Sequence, residues 1–185
     1  MALTESKMLP LGTKAPSFNL PDTVSGKTIS SDDIFSGKAT VVMFICNHCP
    51  FVIHVNSKLV SLANTYTKKG ISFIAISSND VINYPQDGPD QMKIHAKNEN
   101  YPFPYLYDET QDIAKAYDAA CTPDLYIFDY KLKLAYRGQL DDSRPDNGLP
   151  VTGRDLIHAI DCIIEGKESS SNQKPSIGCN IKWKN

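Results

Sequence analysis

The chain has 185 residues, of which 41% are hydrophobic and 22% charged, with a formal net charge of -2. This suits one globular domain with a full apolar core and excludes a disordered chain. Charges of both signs are spread along the sequence, which excludes a basic nucleic-acid face and a polybasic membrane-surface segment.

In chain order, the residues from Met1 lack the charged start and apolar run of a signal peptide, so a cytoplasmic setting is expected. Residues 1–38 read as an N-terminal extension, 39–166 as the core and 167–185 as a C-terminal tail of a single domain spanning 1–185. Val41-Val42-Met43-Phe44-Ile45 is a continuous run of β-formers, expected as a strand buried on both faces and too short to cross a bilayer. Val52, Val55, Leu59, Leu62 and Tyr66 recur at spacings of three and four and define one helix face. Gly70, preceded by Lys68 and Lys69, is a natural stop. Residues 71–77 are a second buried strand. Strand, helix and strand in this window make a βαβ unit with parallel strands.

The stretch 80–90 is polar and contains Pro85, Gly88 and Pro89, the marks of a loop, with Pro89 suited to open a helix through residue 98. Residues 103–107 form a short strand, and Thr110 is placed to cap a short helix ending near Tyr117. Residues 125–128 and 132–136 are strands joined by the tight turn Asp129-Tyr130-Lys131, an antiparallel hairpin. Thr152 and Asp155 resemble a capping pair for a helix with Leu156, Ile160, Ile163 and Ile164 on its apolar face, ended by Gly166. The Ser-rich stretch 167–174 is expected to be mobile, and 176–183 regains apolar character suited to docking. The expected architecture is α/β, a central mixed β-sheet flanked by helices. A βαβ unit joined to a ββα unit resembles a thioredoxin-like core.

Cys46 and Cys49 fall where a buried strand hands over to a helix. The first helical turn offers unpaired N–H groups and the positive end of the dipole, which stabilise a thiolate. Two intervening residues bring both sulfurs onto one turn. One thiolate can attack a substrate disulfide and the second can resolve the mixed disulfide. His48, as an imidazolium, would favour a neighbouring thiolate, and Pro50 fits the first helical turn. A zinc site normally needs four ligands. The chain has five cysteines and no second pair at this spacing, so only Cys121, Cys179 and a few histidines remain to complete a set. No metal is expected, and no cofactor beyond a redox-active disulfide. The odd cysteine count also argues against a closed disulfide framework.

Cys121-Thr122-Pro123 precedes the strand at 125–128. In a thioredoxin-like chain a Thr-Pro at this place carries a cis peptide bond facing the cysteine pair and docks substrate by strand-like pairing. Cys121 is either a second thiol near the pair or a small buried hydrophobe. Cys179 lies on the tail, where it is either a thiol brought to oxidised Cys46 or Cys49 or one on a docked segment. Cys162 reads as core. Arg137 either approaches the thiolate or sits exposed at a strand end. His54, His95 and His158 read as surface or packing residues, and Asp141, Asp142 and Arg144 as a solvated loop.

Together, Phe44-Ile45-Cys46-Asn47-His48-Cys49-Pro50, Cys121-Thr122-Pro123, Tyr136-Arg137-Gly138-Gln139-Leu140-Asp141-Asp142 and the tail from Pro175 to Lys182 resemble the peroxiredoxin-like branch of the thioredoxin superfamily, the alkyl hydroperoxide reductase and thiol-specific antioxidant group. Ala15-Pro16-Ser17-Phe18-Asn19-Leu20 resembles the segment opening that group's N-terminal β-hairpin. The pattern Pro-x-x-x-Thr/Ser-x-x-Cys of peroxide-attacking cysteines is missing. Cys46 and Val42 take its Thr and Pro places relative to Cys49, and Met43 and Ala39 take them relative to Cys46. Thiol–disulfide exchange therefore ranks ahead of peroxide reduction, with a redox sensor or metal-binding module as the non-enzymatic reading. The expected partners are a thiol or disulfide protein or a small thiol reductant, with a hydroperoxide as the alternative substrate and a homodimer as the candidate assembly.

Overall fold

The computed structural model describes residues 3–35 and 37–184. The N-terminal part contains β1 (Leu3–Glu5), β2 (Asn19–Pro21), β3 (Thr28–Ser30) and the short α1 (Ser31–Ile34). The βαβ part contains β4 (Ala39–Phe44), α2 (Pro50–Tyr66), β5 (Ile71–Ser77), α3 (Pro89–Asn98) and β6 (Tyr105–Tyr107). There follow α4 (Asp112–Ala116), β7 (Cys121–Thr122), β8 (Asp124–Asp129), β9 (Leu134–Gly138), α5 (Arg154–Ile164) and β10 (Ile177–Asn180).

The central sheet has the order β6-β5-β4-β8-β9. β4, β5 and β6 are parallel, whereas β8 is antiparallel to β4 and β9 to β8. Every residue of β4 is buried, as the apolar run 41–45 requires. Strand alternation divides the core into two layers. Val41 and Met43 pack with Val52, Leu59, Met92, Leu156 and Ile160 from α2, α3 and α5. Val42 and Phe44 face Phe18, Ala114 and Tyr117 from the N-terminal segment and the α4 region. Each large apolar side chain removed from water in this way contributes roughly 1.5–3 kcal/mol.

The helix face read from the sequence is the buried face of α2, with Val52, Val55, Leu59, Leu62 and Tyr66 all inside. The α-helix stops at Tyr66, and a 3-10 turn follows before Gly70 takes a left-handed φ of 88°. Two expected caps are replaced by tertiary ones. Gln111, with φ 65°, is the N-cap of α4, and the Asp108 carboxylate accepts from the amides of Ile113 and Ala114 at 3.4 and 2.9 Å. Thr110 accepts from Asp112 N at 3.3 Å. At α5 the N-cap is Gly153, and Asp155 accepts from Gln139 instead of closing a capping box.

Asp141 is not solvated. It is buried, and its carboxylate accepts from the amides of Ser143, Thr152 and Gly153 at 2.9, 2.6 and 2.6 Å, holding the loop that leads into α5. Cys162 is only half-buried and faces His158 at 3.7 Å, so it is not a core residue. The stretch 167–174, expected to be mobile, runs along the outer edge of β9. There the Arg137 amide donates to Gln173 at 2.8 Å and the Gln139 amide to the Lys174 carbonyl at 2.9 Å. This covers a sheet edge that would otherwise be unpaired. Among the described residues no helix is long and apolar enough to cross a membrane.

The tail docks as a strand. β10 lies between β1 and β7, with Cys179 opposite both Leu3 and Thr122. Gly178 crosses so near the Thr122 carbonyl that a Cβ there would overlap its oxygen. Gly178→Ala is therefore expected to destabilise the chain by about 1–3 kcal/mol through overpacking, measured by urea denaturation. An unchanged midpoint would mean that the tail docks otherwise.

Candidate active site

The site is assembled where β4 ends. Cys46, Asn47 and His48 form the connection to α2, and Cys49 is the N-cap residue of that helix. Pro50 opens α2, where its missing N–H has no helical partner to lose. Thr122 and Pro123 face them from the end of β7, and the Thr122–Pro123 bond is cis, as anticipated. The Cys46 sulfur lies 3.5 Å from the Thr122 hydroxyl, and the Cys49 thiol reaches the Thr122 carbonyl at 3.1 Å. Each sulfur is also hydrogen bonded to the other. All five cysteines are reduced.

The two sulfurs are in opposite electrostatic situations. Hydrogen bonding from Cys46, followed by Thr122, Cys179 and the Val52 amide, lowers Cys49 from the usual thiol value of 9.0 to about 4, against the effect of burial. Cys46 is raised well above that value by its bond to Cys49, by burial and by the Asp87 carboxylate, with the Thr122 hydroxyl opposing. The pair therefore holds one proton and one negative charge between two adjacent sulfurs. Thr122 serves both arrangements of that proton. Its hydroxyl can donate to a Cys46 thiolate, and its carbonyl accepts from a protonated Cys49.

Asp87, which the sequence reading missed, organises the outer side of the site. It is fully buried and accepts from the Asn47 amide at 2.9 Å and from Asn79 Nδ2 at 2.8 Å. His48 Nδ1 lies 2.7 Å from Asp87 Oδ2, without the in-line geometry of a hydrogen bond, and the ring stacks on Tyr84 at 5.7 Å. His48 thus stands beside both the expected thiol and a carboxylate that the sequence reading did not foresee. Asp87 was hidden in a polar loop, where no spacing or periodicity marks it. Cys46 Sγ, His48 Nδ1 and an Asp87 oxygen all lie within 4.8 Å of one another. Thiolate, imidazole and carboxylate form a donor set compatible with Zn2+.

Arg137 fits neither expected position. It is fully buried, ion-paired with Asp124 at 3.0 Å, bonded to the Asp118 carbonyl at 2.7 Å and stacked over Tyr126. Its guanidinium neutralises a buried carboxylate and does not support the cysteine pair. Cys121 is a buried thiol beside that ion pair, pushed well up by burial first and by Asp124 second. This is an environment in which thiols are inert. Cys179 does come to the site. It is buried, and its side chain is hydrogen bonded to Cys49. It arrives on β10, not on a mobile tail. His54 bonds Ser143 at 2.7 Å beside the cleft next to Pro123, and His95 bonds the Tyr101 hydroxyl at 3.1 Å.

A small cleft runs beside Pro123, lined by Phe51, His54, Val55, Leu140 and Ile177. A much larger cavity of about 1060 Å³ opens at the opposite end of β4, among Lys38, Gly70, Asp129, Lys133 and Lys167. It contains no cysteine and takes no part in the chemistry above.

Paired sulfurs at a strand-to-helix junction, a facing cis-proline loop and a five-stranded mixed sheet define a thiol redox protein of thioredoxin-like fold. The match to the AhpC/TSA family spans residues 11–137, and the chain belongs to that family. It is similar to an uncharacterized conserved protein of Geobacillus kaustophilus, with 60% identity, a TM-score of 0.98 and coverage of 100% of this chain and 97% of that one. A hypothetical protein of Sinorhizobium meliloti is 43% identical over 98% of each chain, with a TM-score of 0.96. A thiol:disulfide interchange protein of Chlorobium tepidum shares the fold at 18% identity and a TM-score of 0.64, over 85% of this chain and 99% of that one. No curated protein matches.

A group lowered to about 4 is anionic at every pH above that value. Ultraviolet absorbance of one thiolate per reduced chain is therefore expected to persist below neutrality and to fade only as pH drops through about 4. In Cys49→Ser it should vanish across the neutral range. Absorbance that rises only near the ordinary thiol value would contradict the shared-proton arrangement.

Proposed function

We propose that the protein is a thiol–disulfide oxidoreductase in which Cys46 attacks and Cys49 resolves. The carrying observation is the contact between the two sulfurs, both facing Thr122 at 3.5 and 3.1 Å. Cys49 is enclosed by Cys46, Thr122 and Cys179 and is 0% exposed, whereas Cys46 keeps 2% exposure, so the attacking role falls to Cys46 once the residues covering it give way to the substrate. The pair shares one proton, and attack by Cys46 draws on the less populated arrangement in which that proton sits on Cys49: there the Thr122 carbonyl accepts the Cys49 S–H, and the Thr122 hydroxyl steadies the Cys46 thiolate.

The Cys46 thiolate then attacks one sulfur of a substrate disulfide, and the departing thiolate takes up a proton. Cys49 gives up its proton and attacks the Cys46 sulfur of the mixed disulfide. The second substrate thiolate leaves and is protonated. The thiol–thiolate pair has supplied two electrons and its one proton, solvent supplies the second proton, and the Cys46–Cys49 disulfide is the only redox element required. The Asp87 carboxylate, by raising Cys46, yields a more basic and hence more nucleophilic thiolate once the proton has moved. Pro123 and the adjoining cleft supply the docking edge for a protein disulfide in the cytoplasm or a small thiol.

Family membership favours a hydroperoxide as the rival substrate, which is measured on the same sample. Insulin-disulfide reduction by Cys46→Ser is expected to fall to the uncatalysed rate, and peroxide consumption by the wild type to stay near that of free cysteine. Retained insulin activity in Cys46→Ser would refute the assignment of the attacking sulfur, and rapid peroxide turnover would make peroxide the substrate.

The Cys46, His48 and Asp87 cluster favours a second reading, a thiol-gated Zn2+ site. It expects one zinc per reduced chain after desalting, by metal analysis, released on oxidation and lost in Asp87→Asn. Metal-free reduced protein that does not take up added zinc would dispose of it.

A further inference from the structure

Cys179 has no part in the exchange just described, yet the fold holds it against the reacting pair. The register of β10 on β7 sets Cys179 opposite Thr122, the residue whose carbonyl meets the Cys49 thiol at 3.1 Å. Gly178 lets the β10 backbone approach that carbonyl directly. Cys179 is 4% exposed and Cys49 is 0% exposed, so the two sulfurs meet inside the protein. Their side chains are hydrogen bonded to each other. A thiol used only for packing needs no second thiol as its neighbour.

We propose that Cys179 is a third redox thiol, which takes over the disulfide from Cys46 by attacking the Cys49 sulfur. The inference rests on the thiol-exchange reading above and extends it by one step. The Cys179 thiol gives up its proton and its thiolate attacks Cys49 Sγ. The Cys46–Cys49 bond breaks as the Cys49–Cys179 bond forms. The leaving electron pair stays on Cys46 Sγ, which takes up the proton released by Cys179. One disulfide is exchanged for another, and no external oxidant or reductant is consumed.

The electrostatics give this step a direction in time. In the reduced protein Cys179 is raised to about 12, by burial first and then by its bond to Cys49 and the Cys49 charge, with Lys182 opposing. Once Cys49 is in a disulfide, its charge and its accepting sulfur are gone, while Lys182 remains. Oxidation of the pair thus removes two of the influences that hold Cys179 protonated, while its burial persists. The exchange moves the disulfide inward, returns Cys46 to the thiol state and ties the C-terminal strand covalently to the start of α2.

The test uses the full chain with oxidised glutathione, followed by acid quenching, alkylation under denaturing conditions and peptide mass mapping. In the wild type the disulfide is expected to pass from Cys46–Cys49 to Cys49–Cys179, whereas in Cys179→Ser, which keeps the entry pair, it stays at Cys46–Cys49. If Cys179→Ser does not fold by circular dichroism, the wild type decides. In partly oxidised wild type, label appearing on Cys46 together with the Cys49–Cys179 peptide supports the relay. A Cys46–Cys49 peptide with label on Cys179 and none on Cys46 overturns it and leaves the oxidoreductase reading intact. Wild type with no cross-link at Cys46 or Cys49 overturns both.

Discussion

The antiparallel ladder between β4 and β8 runs from Ala39 opposite Asp129 to Phe44 opposite Asp124. Because the strands run in opposite directions, the residues leaving β4 emerge beside the residues entering β8. Cys46 is thereby set next to Thr122 and Pro123, although about 75 positions separate them in the chain. A slip of one residue would turn every β4 side chain to the other layer, and the two-sided core of Val41 and Met43 against Val42 and Phe44 forbids it. The core therefore sets the distance between the sulfurs and the loop that faces them.

The same constraint accounts for the burial of the site. Both sulfurs, Thr122 and Asp87 are inside the protein, where hydrogen bonds and charges act through a low dielectric. A cysteine pair in water would shift little from its ordinary acidity. Here the two sulfurs diverge, because one proton is shared in a place water does not reach. Asp87 is tolerated in that interior since Asn47, Asn79 and His48 surround its oxygens. Asn79 in turn accepts from the Lys182 amide at 2.8 Å, so the loop that holds Asp87 and the tail that holds Cys179 are fastened to each other.

Much of this was legible locally. The apolar run at 41–45, the spacing of Val52, Val55, Leu59, Leu62 and Tyr66, and the turn at Asp129-Tyr130-Lys131 each depend on neighbours a few positions apart, and each reappears in the fold. The Cys46 and Cys49 pair was equally visible, since its meaning comes from standing between a strand and a helix. Caps were read less well. Thr110 and Thr152 have the right chemistry beside helix starts, but the carboxylates of Asp108 and Asp141, fixed by tertiary packing, compete for the same loops. Arg137 shows the same limit, because its partner Asp124 is a cross-strand matter that no linear pattern reveals.

By itself, then, the sequence determined the βαβ and hairpin units, the buried sheet and the place of the cysteine pair, because periodicity and turn chemistry act over short distances along the chain. Only the tertiary structure decided which of the remaining groups join them. Asp87 and Cys179 reach the pair from a polar loop and from the C-terminal strand, while Arg137 and Cys121 are drawn away to a separate buried ion pair. Those outcomes follow from strand register and close packing, which bring together residues far apart in the chain and leave no mark in its local pattern.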